Sequence, residues 1–202
     1  MNKVNKCREW REKQKITGDA FKLREKPWSF RSQFNPDSAL LIPAVSSENR
    51  QYVPMDFIKS DTISSNRNFI LPYASNYEFG ILTSKMHMSW MRFTSGRLET
   101  RYNYSRDLTF NTFIWPEATE EQKEYITNLA KNIRRIRAQN APMSLGDMYN
   151  PKTMPEELKQ AHEVLDRAVE ALYQPEPFKN DEERVALLLN LYSKKIAEME
   201  SK

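Results

Sequence analysis

The amino-acid sequence predicts an α+β fold, in which an irregular mixed β-sheet is followed by a small C-terminal α-helical bundle. Up to residue 116, short runs of β-forming residues alternate with turn signals rich in Ser, Asn and Asp. From Thr119 onwards, apolar residues recur with helical spacing. This change of period separates a sheet domain (35–116) from a helical domain (117–202). A basic helical entry segment (1–34) precedes both.

The entry segment is rich in cations. Residues 1–34 contain ten Lys or Arg against four Asp or Glu, although the whole chain of 202 residues has a net charge of only +4. Basic runs alternate with Trp10, Ile16 and Phe21, and Gly18 interrupts any single long helix. Clustered positive charge is typical of proteins that bind nucleic acids, although basic arms are too common to carry that conclusion alone.

Four strand-like runs follow, at residues 39–45, 52–57, 69–72 and 77–82. The prolines at positions 43, 54 and 72 have no backbone N–H to donate, so they confine these runs to strand ends, edges or bulges. The sheet is therefore expected to be irregular. A short helix is then predicted after Ser84, with Gly96 as its stop. The candidates for burial on that helix are Met86, Trp90, Met91 and Phe93.

The stretch at residues 96–104, GRLETRYNY, is predicted to form one strand with two unlike faces. Planar hydrogen-bonding groups on one face suit the readout of base edges, because Arg pairs with guanine, Asn with adenine and a carboxylate with cytosine. A solvated face carrying Arg–Glu pairs is the alternative interpretation. Leu98, Thr100, Tyr102 and Tyr104 fall on the face suited to a core, and Arg97, Glu99, Arg101 and Asn103 on the polar face.

Three helices are predicted in the remainder of the chain. The first begins with the capping box Thr119-x-x-Gln122. The second begins at Thr153-x-x-Glu156, and the third begins near Asp181. Together they predict the C-terminal helical bundle.

Composition excludes several kinds of site. Cys7 is the single cysteine, so no internal disulfide can form, and with only His87 and His162 beside it no structural zinc site can be assembled. The four glycines stand apart, so no Gly-rich phosphate loop exists. Catalytic and metal-binding residues are therefore not assigned in this chain. No run of about 18 apolar residues or signal peptide is found, so a cytoplasmic protein without a membrane span is expected.

Two short patterns and two histidines have a structural interpretation. The Glu-x-Lys patterns at 121–123 and 157–159 resemble part of a nuclease motif, but they fall in amphipathic helices and indicate helix-surface charge. His87 is interpreted as a packed side chain, with a phosphate contact as the alternative. His162 is interpreted as structural.

Several segments, in the same order, resemble the C-terminal third of the MmeI-like family. The segments are LLIPAVSSENRQYVPMDF (40–57), YEFGILTSKMHMSWMR (77–92), GRLETRYNYSRD (96–107), NTFIWP (111–116) and MPEELKQAHEVLDRAVEALY (154–173). Family members are single-chain DNA adenine methyltransferases of bacterial restriction–modification systems, many of them fused to an endonuclease. The resemblance implies a target-recognition domain followed by a helical C-terminal domain. The S-adenosylmethionine-binding catalytic core of the family would lie upstream of Met1, so this chain is expected to be a fragment or a separately encoded specificity part.

The resemblance also implies which residues contact DNA. Glu99 and Arg101 would read one base pair in the major groove. Asn103 would read a second base pair together with Arg67 from the loop at 65–68. The residues interpreted as DNA-backbone contacts are Arg97, Arg106, Lys85 and Arg92.

The expected partners are double-stranded DNA and a catalytic methyltransferase domain, upstream or on a separate chain. No cofactor is expected in this chain, and S-adenosylmethionine is expected in the parent enzyme. Two other function classes stay open: a protein-docking module built on the helical bundle, and an RNA-binding domain that stacks bases on exposed tyrosines.

Overall fold

The computed structural model describes residues 2–29 and 36–201, which form two compact units. The first unit contains α1 (Lys3–Glu12) and α2 (Asp19–Lys22). Gly18 is the N-cap of α2 and separates the two helices. The predicted boundary between residues 34 and 35 lies outside the described residues.

A buried arginine holds the first unit together. The guanidinium of Arg11 donates hydrogen bonds to the backbone carbonyl oxygens of Leu23, Lys26 and Ser29 at 2.8, 2.9 and 2.7 Å. Hydrogen bonds to a charged donor are stronger than neutral ones. This arginine therefore fixes the chain that follows α2 against α1.

The second unit begins with an antiparallel sheet centred on β1 (Ser38–Pro43). β3 (Asp56–Lys59) pairs with one edge of β1, and β4 (Asn68–Pro72) pairs with the other. The strands predicted at 39–45 and 69–72 are confirmed, whereas the strand predicted at 52–57 begins only at Asp56. The prediction of a mixed sheet is wrong in this respect, because every strand pair in the described residues is antiparallel.

A second small sheet is built from β2 (Val45–Ser46), β6 (Arg101–Asn103) and β5 (Gly96–Leu98), in that order. Ala44 connects the two sheets. Its N–H donates to the carbonyl of Arg67 at 3.0 Å, and its carbonyl accepts from the N–H of Tyr104 at 2.7 Å. The chain thus leaves the first sheet after β1 and enters the second sheet without an intervening loop.

The strand predicted at 77–82 is wrong, because this segment forms helix α3 (Asn76–Leu82). A capping box starts the helix: the N–H of Ser75 donates to the Glu78 carboxylate at 2.7 Å, and the Ser75 hydroxyl accepts from the N–H of Tyr77 at 3.0 Å. These hydrogen bonds satisfy backbone donors that only a helix start leaves free. Local capping therefore outweighs the β-propensity of the aromatic and branched side chains.

The next helix, α4 (Lys85–Thr94), confirms the prediction of a helix after Ser84. Met86, Trp90 and Met91 are buried as predicted, but Phe93 is 56% exposed. A π-helical turn follows the second sheet at Arg106–Phe110. A single π-helical turn is rare and often lies near a functional site.

The C-terminal region consists of α5 (Glu120–Gln139), α6 (Leu145–Met148), α7 (Glu156–Glu170) and α8 (Asp181–Glu200). The capping box at Thr119 is confirmed by hydrogen bonds with Gln122 at 2.8 and 3.3 Å. Helix α5 packs against α3 and α7, whereas α8 packs mainly against α4. The predicted fold class, a small-sheet domain followed by a helical region, is confirmed.

One hydrophobic core runs through the sheet domain and the helical domain. Gly80 on α3 lies against α5, because a Cβ at this position would lie 2.8 Å from the side chain of Ile126 on α5. The absence of a side chain at Gly80 therefore lets α3 and α5 pack closely. In the part of the chain that the structure describes, no helix is both long and apolar enough to cross a membrane.

Candidate nucleic-acid interface

The stretch at residues 96–104 forms a β-hairpin, so the prediction of one continuous strand is wrong. β5 and β6 pair antiparallel, with Leu98 opposite Arg101 and Arg97 opposite Tyr102. Glu99 and Thr100 form the two-residue turn between them, and Glu99 has a positive φ of 58°. Glycine usually occupies such a position. Because Glu99 stands there instead, the sequence contains no turn signal at this point.

The predicted alternation of buried and exposed side chains is present on β6 but not on β5. On β6, Arg101 and Asn103 are exposed while Tyr102 is buried, and Tyr104, just beyond the strand, is buried too, as predicted. On β5 the faces are reversed, because the turn places Arg97 on the same face as Tyr102. The Arg97 guanidinium carbon lies 3.8 Å from the centre of the Tyr102 ring. Arg97 therefore stacks on Tyr102 rather than lying beside Arg101.

Glu99 and Arg101 meet at the tip of the hairpin. Arg101 donates a hydrogen bond to the Glu99 carboxylate at 2.8 Å. Their side chains are 75% and 46% exposed, respectively. A pair this exposed contributes little to stability, because water screens it. The hairpin thus presents a carboxylate and a guanidinium, side by side, to solvent.

Glu48 lies close to the hairpin residues Thr100 and Arg101, and the sequence analysis did not identify it. It follows β2, whose residues Val45 and Ser46 pair with Asn103 and Tyr102. Hydrogen bonds from its own backbone and from the side chain of Thr100 lower the pKa of the Glu48 carboxyl, and the charge of Arg101 acts in the same direction. No local sequence signal could have placed Glu48 here, because its position depends on the pairing of β2 with β6.

The hairpin is anchored from below by a buried histidine. The imidazole Nε2 of His87 lies 2.9 Å from the hydroxyl of Tyr104. Its ring packs edge-on against Phe113, with 4.6 Å between ring centres. His87 is fully buried, and this burial lowers its pKa to about 3, so the imidazole is neutral near pH 7. The packed interpretation of His87 is confirmed, and its burial excludes a direct contact with phosphate.

Asn103 and Arg67, the second predicted reading pair, lie on neighbouring segments. Ala44 lies between them, since its backbone bonds to Arg67 on one side and to Tyr104 on the other. Adjacent strands lie roughly 4.8 Å apart, so the two backbones are about two strand spacings apart. Both side chains are exposed.

The four residues interpreted as DNA-backbone contacts are not brought together. Arg106 lies on the π-helical turn and pairs with the carboxylate of Asp107 at 2.8 Å, both side chains being 68% exposed. Lys85 and Arg92 lie on α4 and face the C-terminal helices. Lys85 lies 3.4 Å from the buried carboxylate of Asp166, and Arg92 lies 2.8 Å from the partly exposed carboxylate of Asp181.

His162 and the two Glu-x-Lys patterns have the structural roles that the sequence predicts. His162 is fully buried, and its Nε2 lies 2.7 Å from the hydroxyl of Tyr149. The Glu-x-Lys patterns at 121–123 and 157–159 lie on α5 and α7, as predicted. Among the described residues, no cluster of three or more His, Cys, Asp or Glu side chains is arranged to hold a metal ion.

Comparisons with known proteins agree with the family resemblance found in the sequence. Residues 1–117 match the family model described as "MmeI, target recognition domain", and residues 118–200 match "MmeI, C-terminal domain". The chain is 44% identical over 172 residues to DNA methyltransferase A of Bacillus subtilis (strain 168), which covers 85% of this chain and 20% of that protein.

A solved structure is also similar. It is the Type IIL restriction-modification enzyme MmeI in complex with DNA, which matches with a TM-score of 0.88 and 39% sequence identity. The match covers 96% of this chain and 26% of that chain. This chain therefore spans about a fifth to a quarter of the length of these relatives.

Proposed function

We propose that this chain, which belongs to the MmeI family through its target recognition and C-terminal domains, recognises the DNA sequence for a site-specific DNA adenine methyltransferase. The observation that carries this proposal is the exposed Glu99–Arg101 pair at the tip of a hairpin whose tyrosines, Tyr102 and Tyr104, are buried. A two-stranded ribbon fits the major groove of B-DNA, where each base pair presents a distinct pattern of donors and acceptors. The similarity to a DNA-bound relative supports the same assignment.

Glu99 and Arg101 read a single C·G pair in this proposal. The carboxylate accepts a hydrogen bond from the cytosine amine, and the guanidinium donates to the guanine O6 and N7 atoms. In the free chain the two side chains satisfy each other at 2.8 Å. A C·G pair replaces that exposed ion pair with two complementary contacts, so little electrostatic stabilisation is lost when DNA binds.

Asn103 and Arg67 read a second base pair, since their exposed side chains project from neighbouring segments of one surface. Arg97 and Arg106, both exposed, contact the DNA backbone in this proposal. Lys85 and Arg92 are the weaker members of the proposed backbone set, because Asp166 and Asp181 already neutralise them.

The parent enzyme in this proposal uses S-adenosylmethionine, which its catalytic methyltransferase domain binds. That domain is the proposed protein partner, either in the same polypeptide or on a separate chain. The exposed apolar side chains of Phe93 and Leu189, which line one shallow groove, offer it a packing surface. Because bacterial DNA lies in the cytoplasm, the protein is proposed to act there.

The two alternative function classes have less support. The tyrosines of the hairpin are buried, so Tyr102 and Tyr104 offer no stacking platform to RNA bases. The C-terminal helices use much of their apolar surface within the chain, since α5 packs on α3 and α8 packs on α4. A separate docking function for the whole bundle is therefore not needed to explain its apolar faces.

The double substitution Glu99→Lys with Arg101→Asp tests the proposed base pair in the full-length enzyme. It exchanges acceptor and donor, so the accepted pair should change from C·G to G·C at one position of the recognition site. A bidentate contact is worth roughly 1–3 kcal/mol of discrimination, so each single substitution should mainly lose activity. Methylation mapping across the genome of expressing cells gives the site that each variant modifies.

Arg106→Ala is the matched control for the reading pair. Loss of the proposed contact between Arg106 and the DNA backbone should weaken methylation of all sites about equally and leave the recognised sequence unchanged. An active double variant that still modifies C·G sites would contradict the proposal, and the hairpin tip would then be an ordinary solvated surface.

A further inference from the structure

A cationic cleft lies beside the hairpin, where the sheet domain meets the helical domain. Its volume is about 540 Å³. It is lined by two cations, two amide side chains, a serine and a proline, and no carboxylate is among these residues. They are Ser47, Asn49, Arg50, Asn150, Pro151 and Lys152.

Arg50, which lines this cleft, has an unsatisfied hydrogen-bond donor. One terminal nitrogen of its guanidinium donates to the carbonyl of Gly146 at 3.2 Å, which ties residues 47–50 to the helical domain. Its Nε is buried and has no acceptor among the described residues. A buried donor without a partner costs free energy, more so on a charged group. A small shift of the Arg50 side chain would bring this donor to an anionic oxygen bound in the cleft.

The position of the cleft relative to the hairpin suggests the source of that anion. Ser46 is paired with Tyr102, so the chain continues from β2 along the edge of β6 towards the hairpin turn. The Thr100 side chain in that turn helps to lower the pKa of the Glu48 carboxyl, and residues 49–50 then line the cleft. The major groove is about 12 Å wide and is bordered by phosphates. A ribbon inserted in the groove therefore has a phosphate backbone along its flank.

We propose that this cleft binds a backbone phosphate of the DNA whose bases the hairpin reads, with Arg50 and Lys152 supplying the positive charge. This inference rests on the proposed function and extends it to the helical domain, because Asn150 and Lys152 belong to the C-terminal family domain. The cleft positions the duplex and carries no sequence information.

Binding of a fluorescently labelled duplex to the 202-residue chain, measured by anisotropy over a series of salt concentrations, tests the cleft. Lys152→Gln should lower the slope of log affinity against log salt by about 0.9, since one phosphate contact is lost. Affinity at about 0.1 M salt should fall roughly five- to tenfold for every duplex sequence. Arg50→Gln should act in the same direction. Lys152 is exposed, so its substitution leaves the fold intact even if Arg50→Gln does not.

Lys195→Gln is the control, because it removes an exposed lysine from α8, and no residue of α8 lines the cleft. If Lys152→Gln changes the salt slope no more than Lys195→Gln does, the phosphate cleft is overturned. Duplex binding by the unmodified chain that is weakened by Arg101→Ala leaves the proposed function standing in that case. If the unmodified chain binds no duplex even at low salt, both the proposed function and the cleft are overturned.

Discussion

Glu99 occupies a backbone conformation that suits glycine better than any residue with a side chain. Its φ of 58° lies in the left-handed region, at the first position of a two-residue hairpin turn. A side chain in this region costs on the order of 1 kcal/mol. The same side chain is the proposed partner of cytosine. Strain in the turn therefore coincides with the residue on which recognition depends.

Replacing this residue with glycine should separate stability from recognition. Glu99→Gly should raise the free energy of unfolding by about 0.5–1 kcal/mol relative to Glu99→Gln, since both remove the ion pair but only glycine relieves the strain. Urea unfolding measures the difference. Both variants should lose discrimination at the base pair that Glu99 reads. A glycine variant less stable than the glutamine variant would mean that the turn is not strained.

His87 should make the stability of the protein depend on pH. Its folded pKa of about 3 lies below the ordinary value of 6.5, because burial disfavours the charged imidazole. The resulting stability is complete above pH 6.5 and is lost as the pH falls towards 3. Between pH 7 and pH 5, the free energy of unfolding should fall by about 2 kcal/mol more in the natural protein than in His87→Gln.

Denaturant titrations of the two proteins at both pH values give this difference. Asp166 acts in the opposite direction, because burial raises its pKa from 3.8 to about 6, so the stability it contributes is lost as the pH rises through 6. Both proteins contain Asp166, so its effect cancels in the comparison. If the free energy of unfolding changes equally with pH in the natural protein and in His87→Gln, His87 is not buried in its neutral form.

At the level of elements, the crossing of α3 and α5 depends on Gly80. A Cβ on Gly80 would lie 2.8 Å from Ile126 and 3.4 Å from Ala130, closer than packed carbon atoms normally approach. Helix propensity alone would favour alanine over glycine by about 1 kcal/mol. Packing and propensity therefore act in opposite directions here, and the rigid neighbouring helix makes packing the larger effect.

Gly80→Ala should lower the free energy of unfolding by about 1–3 kcal/mol, because overpacking a tight helix crossing forces the helices apart. Gly146→Ala is the matched control, since a Cβ there would meet its nearest neighbours at an ordinary 3.6 Å. The control should be neutral or slightly stabilising. Thermal unfolding of both variants distinguishes them, and a stabilised Gly80→Ala protein would contradict the close approach.

In the whole molecule, the C-terminal helices complete the domain that carries the hairpin. The carboxylate of Asp181 on α8 accepts hydrogen bonds from Ser89 and Arg92 on α4, both at 2.8 Å. The buried carboxylate of Asp166 on α7 accepts from the hydroxyl of Tyr52 at 2.6 Å. These polar contacts and the shared hydrophobic core make residues 36–201 one compact unit.

A chain cut after residue 117 should therefore not fold cooperatively. Removal of α5 and α8 exposes the apolar faces of α3 and α4, which include Phe79 and Met91. We expect this shortened chain to bind the dye ANS and to lack a sharp thermal transition. In the 202-residue chain, the unit at 36–201 should unfold in a single step and should not bind the dye. A dye-free, cooperative shortened chain would show that the two domains fold independently.

The sequence alone determined the features that depend on near neighbours in the chain. The Thr119 capping box, the strands β1 and β4 and the alternation of Arg101, Tyr102 and Asn103 were all predicted, because hydrogen bonds over three residues and burial with period two leave a direct pattern. The family resemblance was visible for the same reason: its segments are continuous.

The tertiary structure decided what depends on distant partners. The turn at Glu99 lacks the usual glycine and is held by pairing of the hairpin with β2, more than 50 residues earlier in the chain. The juxtaposition of Arg50 with Lys152 depends on contacts between residues about 100 positions apart. Local periodicity reports only whether a side chain is buried, whereas the partner that buries it is set by packing of the whole chain.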